Sequence, residues 1–210
     1  MKKFKYAIFD MDGTIIDSMS MWINLGKDYL TLKDVKFPKN LNEILNSMSM
    51  TESINYFKDK LGIKDSSDKI MFDINKFIKY KYKYEVQLKP YAKKYISRMK
   101  SNGITMCIAT ATPVELAEAA LARLDVIKYF SFIVCCDEVG VGKAKPDIYY
   151  LALKKMGASI GDTMVYEDAD YAIKTAKNAG FYTVGVYDEV SCKSKEEMNL
   201  LCDEYIYSFK

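Results

Sequence analysis

The chain has 210 residues, half of them hydrophobic and 28% charged, with a net charge of +3. That length suffices for one good core and a smaller second unit, and the charge is too small to argue for nucleic acid or an anionic membrane as a partner. There is no histidine, which excludes Ser-His-Asp and Cys-His triads, phosphohistidine chemistry and histidine-ligated zinc together.

The basic start Met1-Lys2-Lys3 is not expected to be a secretory leader, because Asp10 and Asp12 interrupt the following apolar run too early. No stretch approaches membrane-spanning length. The five cysteines, at 107, 135, 136, 192 and 202, contain no CxxC pair. They read as reduced, buried thiols in a cytoplasmic protein.

The first element is the apolar run ahead of Asp10, expected to be a strand that stops on that residue. Asp12 follows at i+2, then Gly13 and Thr14. Carboxylates at the C-terminal edge of a strand sit where open α/β sheets hold ligands. Two of them suit a hard, oxygen-preferring cation such as Mg²⁺, and Gly13 permits a sharp turn just after them.

From 19 to 86 there are no apolar strand runs. Amphipathic helical spacing is found at 22–32, 41–47, 51–61 and 68–84 instead. This stretch is expected to be an inserted, small all-helical domain, with the rest (1–18 plus 87–210) forming one discontinuous core. Met48 and Met50 are expected to pack it or to line an apolar pocket entrance, and the Lys/Tyr alternation at 79–84 reads as a solvated helix end.

Beyond Pro90, strand and helix periods alternate. Helices are expected at 92–102, 113–124, 147–156, 171–178 and 196–202; strands at 104–109, 132–135, 163–166, 182–186 and 205–207. Repeated βα units with buried strands mean a Rossmann-like parallel sheet covered by helices on both faces. Thr112 is expected to cap the helix starting at Pro113, and Asp170 the helix after it. Asp10/Asp12, Thr110, Lys143 and Glu167/Asp168 all follow strands, so they would gather on one sheet edge.

Four segments in this order, Asp10-Met11-Asp12-Gly13-Thr14, Ile108-Ala109-Thr110, Gly142-Lys143-Ala144-Lys145-Pro146-Asp147 and Glu167-Asp168, resemble the motifs of the haloacid dehalogenase superfamily of phosphotransferases. The resemblance covers nearly the whole chain. It implies Asp10 as nucleophile, Asp12 as general acid/base, and the Thr110 hydroxyl and Ala111 N–H as phosphoryl donors. Lys143 would be the phosphate-binding cation, with Lys145 a neighbouring competitor because Ala144 departs from the usual Pro. Asp10, Asp12 (through its carbonyl), Glu167 and Asp168 would hold Mg²⁺, Glu167 directly or from an outer shell.

The resemblance also implies that the helical insertion is a cap. An acid at position 12 favours phosphatases and phosphomutases over dehalogenases, phosphonatases and ion-pumping ATPases. The pattern is nearest to β-phosphoglucomutase and phosphoglycolate-type phosphatases, but the mutase hinge His and cap Arg align with Trp22 and Met50. The expected function is therefore Mg²⁺-dependent hydrolysis of a small phosphorylated metabolite. A phosphomutase is the alternative, and a non-catalytic phosphate-binding relative is the rival from another class.

Overall fold

The computed structural model describes residues 4–45, 48, 50–191 and 195–210; Cys192 lies outside them. The strands are β1 (Tyr6–Phe9), β2 (Ile16–Asp17), β3 (Gln87–Leu88), β4 (Thr105–Thr110), β5 (Ile133–Cys135), β6 (Thr163–Glu167), β7 (Tyr182–Val186) and β8 (Glu204–Ile206). The helices are α1 (Met19–Leu32), α2 (Leu41–Leu45), α3 (Met50–Asp59), α4 (Ser67–Tyr84), α5 (Ala92–Ser101), α6 (Val114–Arg123), α7 (Asp147–Met156), α8 (Asp170–Asn178) and α9 (Lys195–Leu201).

Six strands form one sheet in the order β5-β4-β1-β6-β7-β8, and every pairing in it is parallel. β1 is the central point from which the order runs outward on both sides. Such a reversal opens a crevice at the C-terminal ends of the strands. Alternate side chains serve opposite faces. Ile8, Cys107 and Val165 pack with Ile148, Tyr149 and Ala152 of α7 and Ala176 of α8. On the other face, Phe9 stacks on Tyr166 at 4.1 Å between ring centroids, and Tyr166 meets Tyr95 of α5, hydroxyl to hydroxyl, at 2.8 Å. This is the Rossmann-like, helix-flanked parallel sheet expected from the βα alternation.

The described chain divides into two compact units: one comprises the chain up to Met19 with Val86–Lys210, the other is Ser20–Glu85. The second is all helical. Ile70, Ile74, Ile78 and Tyr82 of α4 are buried at four-residue spacing, which puts them on one face. α4 begins behind Ser66, whose hydroxyl accepts from the Lys69 N–H at 3.2 Å. Tyr29 of α1 stacks on Phe57 of α3. A cavity of about 180 Å³ within this unit is lined by Trp22, Met48, Met50 and Phe57. At the end of α4, Tyr80 and Tyr84 are exposed while Tyr82 is fully buried.

Two expected helix caps are different in the structure. α6 starts at Val114 with Pro113 in the capping position, so Thr112 does not cap it; its hydroxyl serves Asp12 instead. α8 starts on Asp170 with Ala169 as the capping residue, and the Asp170 carboxylate pairs with Lys174 one turn on, at 3.4 Å.

Candidate active site

β1 ends at Phe9, and the Asp10 N–H continues the ladder by donating to the Tyr166 carbonyl at 2.9 Å. Asp10 is thereby set at the crest of the central strand, 6% exposed. Gly13 then turns the chain with φ +78°, and a Cβ there would lie 2.3 Å from Asp168 Oδ2. Both conditions demand glycine. The turn closes with the Gly13 N–H donating to the Ile16 carbonyl.

Asp10, Glu167 and Asp168 each offer a carboxylate oxygen, and these oxygens lie within 4.8 Å of one another. Lys143 reaches them from the β5–α7 segment. Its ammonium donates to Asp10 Oδ1 and to Glu167 Oε1 at 2.8 Å. Lys145 is exposed, so Lys143 is the lysine the fold brings in. Asp10 Oδ2 is buried and has no hydrogen-bond partner among the described residues.

Burial is the largest influence on all three carboxyls. It raises Asp10 against the pull of Lys143. It pushes Glu167 up to about 8 against Lys143, and Asp168 up to about 7, with Asp10 adding to the rise. Burial alone would lower Lys143, but Asp10 and Glu167 outweigh it and hold the ammonium charged.

Asp12 lies apart from the triad. Ser18 donates to its Oδ1 at 2.6 Å and Thr112 to its Oδ2 at 2.7 Å. Thr110 ends β4, fully buried, and its hydroxyl accepts the Thr112 N–H at 3.0 Å. Ala111 is exposed in the turn between them.

Several contributors escape a reading of the sequence. The Tyr149 hydroxyl donates to Glu167 Oε1 at 2.8 Å from a helix whose apolar spacing marks it only as core. Thr14 donates to Asp168 Oδ1 at 3.3 Å. Thr112 reads in the sequence as a helix cap and Ser18 carries no signal; Thr112 meets Asp12 because β4 lies beside β1, and Ser18 because it follows β2 directly.

The donor set is all oxygen, which suits a hard divalent cation, and a buried carboxylate oxygen without a partner is the kind of acceptor such an ion satisfies. Lys143 is one ammonium among three buried carboxyls, which leaves negative charge that a further cation would balance.

Comparison with known proteins gives a consistent picture. The family model for hydrolases of the haloacid dehalogenase-like type matches residues 4–180. A phosphorylated carbohydrates phosphatase of Thermotoga maritima is 28% identical over 174 residues, covering 83% of this chain and 81% of that one. The β-phosphoglucomutase of Bacillus subtilis is 28% identical over 196 residues, covering 87% and 83%. The crystal structure of a Thermotoga maritima protein provisionally named β-phosphoglucomutase superposes with a TM-score of 0.85 at 25% identity, covering 96% of this chain and 94% of that one.

Proposed function

We propose that this chain, which belongs to the haloacid dehalogenase-like hydrolase family and is a phosphoric monoester hydrolase, hydrolyses a small, sugar-like phosphorylated metabolite with Asp10 as nucleophile and Mg²⁺ as cofactor. The observation that carries this reading is Asp10 itself: buried at the crest of the central strand, one oxygen held by Lys143 and the other without a partner among the described residues.

Asp10, Glu167 and Asp168, with the Asp12 carbonyl, are the groups that would hold the ion. Bound there, Mg²⁺ would supply charge neutralisation at the phosphoryl oxygens. Lys143 favours the ionised form of Asp10 against the effect of burial and adds a second positive charge. A carboxylate oxygen of Asp10 bonds to phosphorus as the ester P–O bond breaks, giving an aspartyl-phosphate. Protonated Asp12 gives its proton to the departing oxygen. Asp12, now a base, takes a proton from water whose oxygen attacks phosphorus, and the bond to Asp10 breaks. Inorganic phosphate leaves with Asp10 free and Asp12 protonated again. Ser18 and Thr112 fix the Asp12 carboxyl for both transfers, and Thr110 and the Ala111 N–H are the phosphoryl donors.

Phosphatase is favoured over mutase by the helical unit. A mutase must grip a second phosphate. Trp22 spends its one polar atom on the Tyr82 hydroxyl, at 3.0 Å, and Met50 lines an apolar cavity. The substrate's second end is therefore taken to be uncharged.

The test is a Mg²⁺-dependent assay on p-nitrophenyl phosphate and a panel of sugar phosphates, with Asp10→Asn alongside. Magnesium-dependent phosphate release that Asp10→Asn abolishes is the expected result. Near-wild-type release by Asp10→Asn would overturn the mechanism, and conversion of a sugar 1-phosphate to its 6-phosphate would replace phosphatase by mutase.

A further inference from the structure

Glu167 Oε1 accepts two hydrogen bonds, from the Lys143 ammonium and from the Tyr149 hydroxyl, each at 2.8 Å. Oε2 accepts none among the described residues. Both donors come from one stretch of chain: Lys143 lies just ahead of α7, and Tyr149 is the third residue of that helix.

The two donors are not equivalent. The ammonium is a compact charge with three rotatable N–H groups, and it is shared with Asp10. Alone, it could be met by one oxygen of Glu167 or straddled by both. The Tyr149 hydroxyl has no such freedom. Its ring is fully buried, set among Val165, Ile148 and Ala176, and meets Phe181 edge to face at 6.0 Å between centroids. A second donor from this fixed direction occupies the remaining lone pair of Oε1, and a planar carboxylate held that way has its other oxygen set as well. The hydroxyl adds no charge. What it adds is orientation, which a phenylalanine filling the same space would not give.

Asp10 shows the same division of labour between its oxygens. Oδ1 is held by Lys143, and Oδ2 is buried without a partner among the described residues. In each of these acids the protein commits one oxygen and leaves the other.

We infer that Tyr149 is a positioning residue for the metal ion: with Lys143 its hydroxyl ties Oε1 of Glu167 to the protein and leaves Oε2 as the oxygen available to the cation. This rests on the reading of Asp10, Glu167 and Asp168 as the magnesium-binding carboxylates. It adds a residue of α7 that none of the four motifs contains.

The test is calorimetric titration of the full-length protein with MgCl₂, together with thermal unfolding in chelator. Tyr149→Phe keeps the ring and its contact with Phe181 and removes only the hydroxyl. It is expected to weaken Mg²⁺ binding about 10-fold, the lower end of the usual cost of losing an outer-shell partner. Phe181→Leu separates this role from packing. It loosens the neighbour of the same ring, so it should lower the unfolding temperature in chelator and leave Mg²⁺ affinity as in the wild type. Wild-type affinity in Tyr149→Phe, or an equal weakening in Phe181→Leu, would overturn the proposal. Glu167→Gln tells its failure from that of the wider reading. If Glu167→Gln binds Mg²⁺ as the wild type does, Glu167 is not one of the metal's carboxylates and the reading itself fails. Weakened binding in Glu167→Gln beside wild-type binding in Tyr149→Phe removes the positioning role alone.

Discussion

Lys143 Nζ lies 2.8 Å from Glu167 Oε1, with 4% and 2% of the two side chains exposed. The same ammonium holds Asp10, so one buried cation balances two buried acids. Removing one partner of such a group costs about 3–5 kcal/mol. Lys143→Ala should therefore lower the melting temperature as well as turnover. The loss of stability should be partial at pH 7, because Glu167, already pushed up to about 8 by burial, can take a proton. Turnover of p-nitrophenyl phosphate should fall at least ~10²-fold. Lys145→Ala, on an exposed side chain, should change stability by no more than about 0.5 kcal/mol and leave turnover intact. Equal effects of the two substitutions would reverse the assignment.

The metal-free protein should lose stability as pH rises. Burial raises Glu167 to about 8 and Asp168 to about 7, above their unfolded values of about 4. The folded state then binds more protons than the unfolded one between those limits, and the slope of stability against pH is negative. The contribution is fully present below about pH 4 and is lost as pH passes through 7 to 8. In EDTA, the melting temperature should fall between pH 6 and pH 8.5. A divalent ion needs the ionised carboxylates, so the rise in melting temperature on adding MgCl₂ should be larger at the higher pH. A pH-independent increment would contradict this account.

The sheet and the gathering of the motif residues were legible in the sequence for one physical reason. A buried parallel strand needs an unbroken apolar run, so Asp10, Thr110 and Glu167 stand out as the polar residues at which such runs end. Strands β2 and β3 were not legible, since two residues carry no period. Nor were the partners of Asp12. Thr112 before a proline and ahead of helical spacing resembles a cap, and only the register of β4 against β1 turns its hydroxyl to Asp12. Tyr149 was hidden in the same way, as a core residue whose one polar atom finds Glu167. The early start of α1 at Met19, ahead of the spacing that begins at Trp22, places polar Ser20 on an exposed face, where hydrophobic periodicity is silent.

Tyr91 precedes α5 with φ +65° and is half exposed. A left-handed conformation costs an L-residue roughly 1–2 kcal/mol, and no side-chain hydrogen bond compensates it at this helix start. Tyr91→Gly removes the strain but gives back about 0.5–1 kcal/mol of unfolded-chain entropy. The contact of Lys210 with the Tyr91 ring is at the surface and worth ~0.5 kcal/mol. The variant should be unchanged to slightly stabilised in chemical denaturation, whereas Tyr91→Val, whose branched side chain tolerates the left-handed region poorly, should be clearly destabilised. The reverse order would mean that Tyr91 is held by packing and not tolerated despite its backbone.

The all-helical unit should be dispensable for folding of the sheet. β2 and β3 pair antiparallel, with Asp17 opposite Gln87, so the chain leaves and re-enters the α/β unit through neighbouring strands. A short turn can join antiparallel neighbours. Replacing Ser20–Glu85 by a short Gly/Ser linker should therefore give a folded protein, judged by far-UV circular dichroism, that still binds Mg²⁺ in a calorimetric titration. None of Asp10, Asp12, Lys143, Glu167 or Asp168 is removed by the excision. If the helical unit acts as a cap, it supplies dryness and substrate contacts and not the nucleophile. Activity on sugar phosphates should then fall much further than activity on p-nitrophenyl phosphate, whose leaving group needs little help. Equal losses on both would mean that the helical unit contributes to the chemical step itself, and an unfolded product would mean that the α/β unit depends on it for its core.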